Sequence, residues 1–89
     1  MINIINLAKL KQILLKNFEN QRVCIELKGF ISTSIFLDNA KILVNNKKLI
    51  VVDDTNEFEL EFLLIKKIKF NDLWQIQIYF EDLTVTLEL

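Results

Sequence analysis

The chain has no histidine and no proline, and only one glycine, one cysteine and one arginine among its 89 residues. Each shortage removes a class of function. Without histidine there is no Ser-His or Cys-His nucleophile pair, no imidazole metal ligand and no imidazole acid–base catalyst. A lone glycine, Gly29, cannot build a phosphate-cradling loop or a dinucleotide fingerprint. A lone cysteine, Cys24, cannot close an internal disulfide or complete a four-cysteine zinc site, and it fits a reducing compartment. The absence of proline leaves no sharp linker and no Pro-rich ligand motif. Arg22 is the single guanidinium. Arginine is the favoured residue for bidentate phosphate and guanine contacts, so its scarcity argues against sequence-specific DNA reading. No apolar run approaches the roughly 20 residues that span a bilayer. The N-terminus also lacks the basic region and cleavage site of a signal peptide. These shortages lead to the expectation of a soluble cytoplasmic protein that is not an enzyme. It would have no cofactor, no metal site, no catalytic residue and no small-molecule substrate.

What remains is apolar and patterned. Hydrophobic residues make up 52% of the chain and the net charge is −1. One domain over residues 1–89 can therefore bury a core without staples, and no global field draws it to nucleic acid or an anionic membrane.

The clearest pattern is residues 74–89. Both arms alternate apolar and polar residues with the strand period of two. A two-residue loop at Glu81-Asp82 pairs Phe80 with Leu83, Ile78 with Val85, Ile76 with Leu87 and Trp74 with Leu89. The reverse face pairs Tyr79 with Thr84, Gln77 with Thr86 and Gln75 with Glu88. A slip of one residue breaks every match, so the register is strongly specified. The loop itself is not of the favoured Asn-Gly type.

The rest of the chain reads as one helix followed by strands. Leu7, Leu10, Leu14 and Phe18 recur at helical spacing over residues 4–18, with Ile4 and Lys11 flanking and Ile13 and Leu15 widening the stripe. Lys9, Gln12 and Lys16 lie opposite. Asn3 or Asn6 can supply the N-cap, and Glu19-Asn20-Gln21 ends the helix. From Arg22 to Leu37 one parity is apolar. This fits a strand bent at Gly29, the preferred reading, or a hairpin with a three-residue loop there. A turn at Asp38-Asn39 pairs Leu37 with Ala40 and Ile35 with Ile42. A turn at Asn45-Asn46 sets Ile42 opposite Leu49 and Ala40 opposite Val51. The strand Leu49–Val52 is apolar on both faces, which suits a central position. After a loop of about four residues near Asp54–Glu57, one long strand, bulged in places, runs from 58 to 70. A loop at Asn71-Asp72-Leu73 then pairs Phe70 with Trp74 and Ile68 with Ile76. The fold class is α+β: an N-terminal helix (about 4–18) packed on a curved antiparallel β-meander of about six strands (22–89), with closure into a small barrel as the variant. Helix first, then a curved antiparallel sheet, is similar to the element order of the Sm-like and Hfq-like small barrels. None of their motif residues is present, so the likeness is one of fold only.

Candidate sites are few. Glu57, Glu59 and Glu61 lie on one strand face, roughly 7 Å apart by the strand rise. That is the ordinary look of a solvated face. Asp53-Asp54-Thr55-Asn56 lacks the glycine and terminal glutamate of a calcium loop and reads as a turn. Cys24 shares its parity with Arg22 and Glu26. The arginine would favour a thiolate, but with no base nearby the residue reads as a small filler. Lys67 beside Gln77, Lys69 beside Gln75 and Ile65 beside Tyr79 form a basic face. With Lys66 it could track a phosphate backbone, Tyr79 serving as a stacking platform.

The last strand carries the strongest expectation. In a meander it is an edge, and Leu83 to Leu89 has little charge and no proline. Such edges invite pairing with another chain. Either Leu83, Thr84, Thr86 and Glu88, with Tyr79 beside them, meet a partner or a second copy, or this strand pairs with the first one and closes a barrel. The function expected is therefore that of a small interaction protein, a homo-oligomer or the binder of a protein partner. The alternative is a nucleic-acid-binding small barrel using Lys66, Lys67, Lys69, Gln75, Gln77 and Tyr79.

Overall fold

The computed structural model of the chain describes residues 4–89, Ile4 by its backbone alone. The N-cap candidate Asn3 lies outside the described residues. Helix α1 spans Ile4–Ile13, so Asn6 sits within the helix and not before it. A wide turn over Leu14–Phe18 continues it. The amide of Glu19 donates to Leu14 O at 3.1 Å, five residues back, which defines that wider winding. Asn20 then takes φ 65°, a left-handed conformation that asparagine tolerates, and the helix stops at the polar run. Leu10, Ile13, Leu14 and Phe18 are buried. Leu15, expected to widen the buried stripe, is instead exposed.

Eight strands follow among the described residues: β1 Val23–Lys28, β2 Thr33–Leu37, β3 Lys41–Val44, β4 Lys48–Val52, β5 Glu57–Glu61, β6 Lys67–Asp72, β7 Gln75–Tyr79 and β8 Thr84–Glu88. All pair antiparallel. They form a five-stranded sheet in the order β2-β1-β8-β7-β6 and a three-stranded sheet in the order β3-β4-β5. The α+β class and the N-terminal helix match the sequence pattern. The strands number more than the six expected because two apparent long strands are broken. Among the described residues no strand pair joins the two sheets, so no closed barrel forms.

Both breaks continue the apolar parity, which is why alternation does not reveal them. Residues 22–37 form a hairpin, with Val23 opposite Leu37, Ile25 opposite Ile35 and Leu27 opposite Thr33. The bent-strand preference is thus overturned. A connection over residues 29–32 keeps Ile25 and Ile35 on one face, which the shortest turn would not. The presumed strand 58–70 is interrupted by a tight turn over Phe62–Leu64, where the chain passes from one sheet to the other. Phe62 and Ile65 on either side of that corner are buried.

The turn at Asp38-Asn39 does not pair β2 with β3 as a hairpin. It carries the chain between sheets, with Asn39 at φ 51°. Ala40 pairs instead with the segment after the helix: Asn20 N donates to Ala40 O at 2.7 Å, and Ala40 N to Gln21 O at 2.9 Å. Asp53 holds this corner. Its Oδ2 accepts from Asp38 N at 3.1 Å, and its Oδ1 accepts from Thr55 N at 2.8 Å and Asn56 N at 2.6 Å. The reading of 53–56 as a turn is correct.

Within the hairpins, faces are as expected and some registers move by two residues. In β3–β4, Ile42 faces Val51 and Val44 faces Leu49. Asn45 Oδ1 accepts from the amides of Lys47 and Lys48 and shifts the turn onward by one residue. In β6–β7, Ile68 faces Ile78 and Phe70 faces Ile76, with an irregularity between Phe70 and Asp72. In β7–β8 every proposed pair from Gln75–Glu88 to Tyr79–Thr84 is present. Phe80 N donates to Leu83 O at 2.8 Å and Leu89 N to Trp74 O at 3.0 Å, so the turn at Glu81-Asp82 is the two-residue one.

The core lies between the inner faces of the sheets and the helix. Ile25, Leu37, Leu49, Val51, Ile76, Ile78, Val85 and Leu87 meet there with Leu10, Leu14 and Phe18. No helix among the described residues is long and apolar enough to cross a membrane.

Candidate interaction edges and groove

The strand expected to be the free edge is not one. β8 pairs with β7 on one side and with β1 on the other, Cys24 opposite Glu88 and Leu27 opposite Val85. The first-strand pairing foreseen for it does form, but without barrel closure. Leu83, Thr84, Thr86 and Glu88 therefore have no unpaired backbone edge to offer along this strand. Thr84, Thr86 and Glu88 face outward from the middle of a sheet, and Thr86 is only 9% exposed because neighbouring strands flank it.

The basic face is partly assembled. Lys67 lies directly opposite Tyr79 and Lys69 opposite Gln77. Lys67 Nζ sits 5.6 Å from the Tyr79 ring centroid, over the face on which a base would stack. The amides beside it are engaged as well. Asn71 Nδ2 donates to Gln75 Oε1 at 2.7 Å and Gln77 Oε1 at 2.9 Å, and Tyr79 OH donates to Gln77 Oε1 at 3.2 Å. Lys66 does not belong to this face: it pairs with Glu81 at 3.3 Å. Ile65 is buried in the core and does not sit beside Tyr79.

Glu57, Glu59 and Glu61 are exposed along β5, as read from the alternation. No group of three or more cysteine or carboxylate side chains among the described residues could hold a metal ion. Cys24 is half-buried, and its thiol pKa is raised. Burial is the main cause, followed by the charges of Glu88 and Glu26, and Arg22 opposes them only in part. Arg22 does favour the thiolate, as expected, but burial and the two glutamates outweigh it. Arg22 is engaged elsewhere, with Asp38 Oδ1 at 3.6 Å and over the Phe36 ring at 5.2 Å.

The true sheet ends are β2, β6, β3 and β5, and they differ in protection. The margin of β3 is met by residues 19–21, through the Ala40 bonds and through Glu19 Oε2, which accepts from Ile42 N at 3.4 Å. β6 carries Lys67, Lys69 and an irregularity, devices that blunt an edge. β5 carries the three glutamates. β2 carries no charge: Thr33, Ser34, Ile35, Phe36 and Leu37. Phe36 is 54% exposed, and just before this strand Phe30 and Ile31 are 103% and 75% exposed. Gly29 leads into that tip because its backbone lies against the turn before β8. A Cβ there would stand 2.8 Å from Asp82 O and 3.3 Å from Leu83 Cδ1.

An apolar groove of about 540 Å³ runs beside β5, at the mouth between the two sheets. Its walls include Leu27, Phe58, Leu60, Leu64, Phe80 and Leu83, and Glu59, Glu61, Glu81 and Lys66 rim it. The alternation of residues 58–70 hid this groove, although one signal was present. Leu63-Leu64-Ile65 is an apolar run out of alternation, and two of its three side chains are exposed. No protein-family model, curated protein or solved structure matches the chain.

Proposed function

We propose that the chain is a small non-enzymatic interaction protein that pairs with a second copy of itself through the edge of β2. The observation that carries this reading is the uncharged β2 edge beside exposed Phe30, Ile31 and Phe36. Exposed apolar residues grouped at an unpaired edge are features that soluble domains otherwise suppress. Self-pairing across a two-fold axis is the simplest occupant, because no antiparallel register of β2 with its copy opposes like charges. The near-empty catalytic inventory favours binding over chemistry. The sheet-edge mode expected of residues 83–89 is thus transferred to β2, one of the strands that end a sheet.

The test is molar mass by size exclusion with light scattering over a concentration series. The wild type should pass from monomer to dimer as concentration rises. Ser34→Lys with Phe36→Lys should stay monomeric with an unchanged circular dichroism spectrum, since both residues are exposed. A wild type that stays monomeric at millimolar concentration contradicts the reading. So does a dimer indifferent to the two lysines.

A further inference from the structure

The groove beside β5 is independent of the β2 edge and has a chemistry of its own. We propose that it receives an extended segment of another protein, with apolar residues alternating with lysine or arginine, added as a strand to the free edge of β5.

The backbone pattern identifies which groups are free. Phe62 N donates to Lys47 O at 2.8 Å and Asp53 N to Asn56 O at 2.9 Å. In an antiparallel ladder bonded pairs alternate, so Phe58 and Leu60 bond to β4 between these two points. The amides and carbonyls of Glu57, Glu59 and Glu61 then point away from β4, toward the unpaired side. A strand laid there would direct every second side chain to the inner face, where Phe58, Leu60, Leu64 and Leu83 form an apolar wall. The intervening side chains would stand beside the glutamates on the outer face. Glu59 has a partner in Lys48 at 3.0 Å, whereas Glu57 and Glu61 have no ion pair among the described residues. Cations at alternate positions of the incoming strand complement that row.

The same charges exclude β5 of a second copy as the occupant, and β2 of a second copy has no cation to meet the glutamates. Any face-preserving antiparallel pairing of β5 with itself sets glutamate against glutamate. β6 has lysines at the right spacing, but its inner residue Ile68 is buried in its own core and has nothing to insert. The occupant is therefore a foreign segment with free apolar side chains.

The probe is a fluorescent heptapeptide, Lys-Ile-Lys-Val-Lys-Ile-Lys, followed by anisotropy and by backbone amide NMR. Three comparison peptides are used: its Glu-for-Lys counterpart, a version with proline in place of the valine, and a basic amphipathic helix. The lysine peptide should bind saturably and shift the amides of residues 57–61. The glutamate and proline peptides should bind at least tenfold more weakly, and added salt should weaken the lysine peptide. Leu64→Asp, at an exposed position, should abolish binding without unfolding the protein. Glu57→Lys with Glu61→Lys should reverse the preference between the two charged peptides. Equal binding of the lysine and glutamate peptides, tighter binding of the helix, shifts confined to other strands, or no binding each overturns the proposal. The Ser34→Lys, Phe36→Lys protein should bind the peptide like wild type, which separates this test from that of β2 self-pairing.

Discussion

Gly29→Ala probes the packing of the β1–β2 hairpin against the turn before β8. Gly29 does not need glycine for a left-handed backbone, since its φ is not positive. On conformational grounds alone, alanine would stabilise by about 0.4–1 kcal/mol, through a less flexible unfolded chain. The structure reverses that sign. The new Cβ would stand 2.8 Å from the backbone oxygen of Asp82, closer than such atoms pack, and 3.3 Å from Leu83 Cδ1. The carbonyl belongs to a two-residue turn held by Phe80 N and Leu83 O at 2.8 Å, so it cannot rotate aside like a side chain. Forced overpacking of this kind costs about 1–3 kcal/mol. The net effect is a loss of about 1 kcal/mol and a fall in Tm of about 4–8 °C for a domain of this size. Urea titration should move the midpoint and leave the slope unchanged. In a Leu83→Ala background most of the cost should persist, because the nearest atom is backbone. A rise of several degrees in Tm would refute the close approach, and with it the alignment of Lys28 with Thr84 at the end of the β1–β8 ladder.

Four further outcomes are expected. Val85→Lys should unfold the protein, at a cost of roughly 3–5 kcal/mol for an unpaired buried charge, because Val85 is 1% exposed in the core. Thr86→Lys should stay folded by circular dichroism, since its stem can lie along the outer face beside Glu26 and reach water. Asp53 has a carboxyl pKa below its ordinary 3.8, chiefly because it accepts hydrogen bonds from the backbone amides of Thr55 and Asn56. A depressed carboxylate contributes stability above its unfolded value and loses it as pH falls through the folded one. Asp53→Asn should therefore lower the urea midpoint at pH 7, and the gap to wild type should shrink below about pH 3.8; a pH-independent gap contradicts this. The Cys24 thiol is held up by burial and by Glu88 and Glu26, so iodoacetamide should alkylate it more slowly at pH 8 than it alkylates a free cysteine. Faster reaction would contradict that environment.

Much of this architecture was legible because it is local. The β7–β8 hairpin has two alternating arms and a short loop, which leaves one register consistent with both faces. The β3–β4 and β6–β7 pairs kept their faces but sat two residues away. A slip of two preserves every inward and outward assignment, so alternation cannot detect it. Only the turn chemistry does, through Asn45 Oδ1 in one case and the irregularity near Asp72 in the other. The two sheet crossings were hidden for different reasons. At Asp38-Asn39 the residues suit a two-residue hairpin turn equally well, and at Phe62–Leu64 apolar residues continue at every second position from Phe58 to Leu64.

The candidate site was the least legible part. Which strand is terminal depends on β1 finding β8 across most of the chain, a non-local pairing. The expectation of a low-charge edge without proline was attached to β8, whereas the uncharged strand at a sheet end is β2.

Self-pairing through β2 is tested by amide hydrogen exchange across that strand. At low concentration the amides of residues 33–37 that do not bond to β1 should exchange freely. As concentration rises through the dimerisation range they should become protected, while those of β5 should not change. Protection of β2 that is independent of concentration, or concentration-dependent protection at another edge instead, would contradict the account.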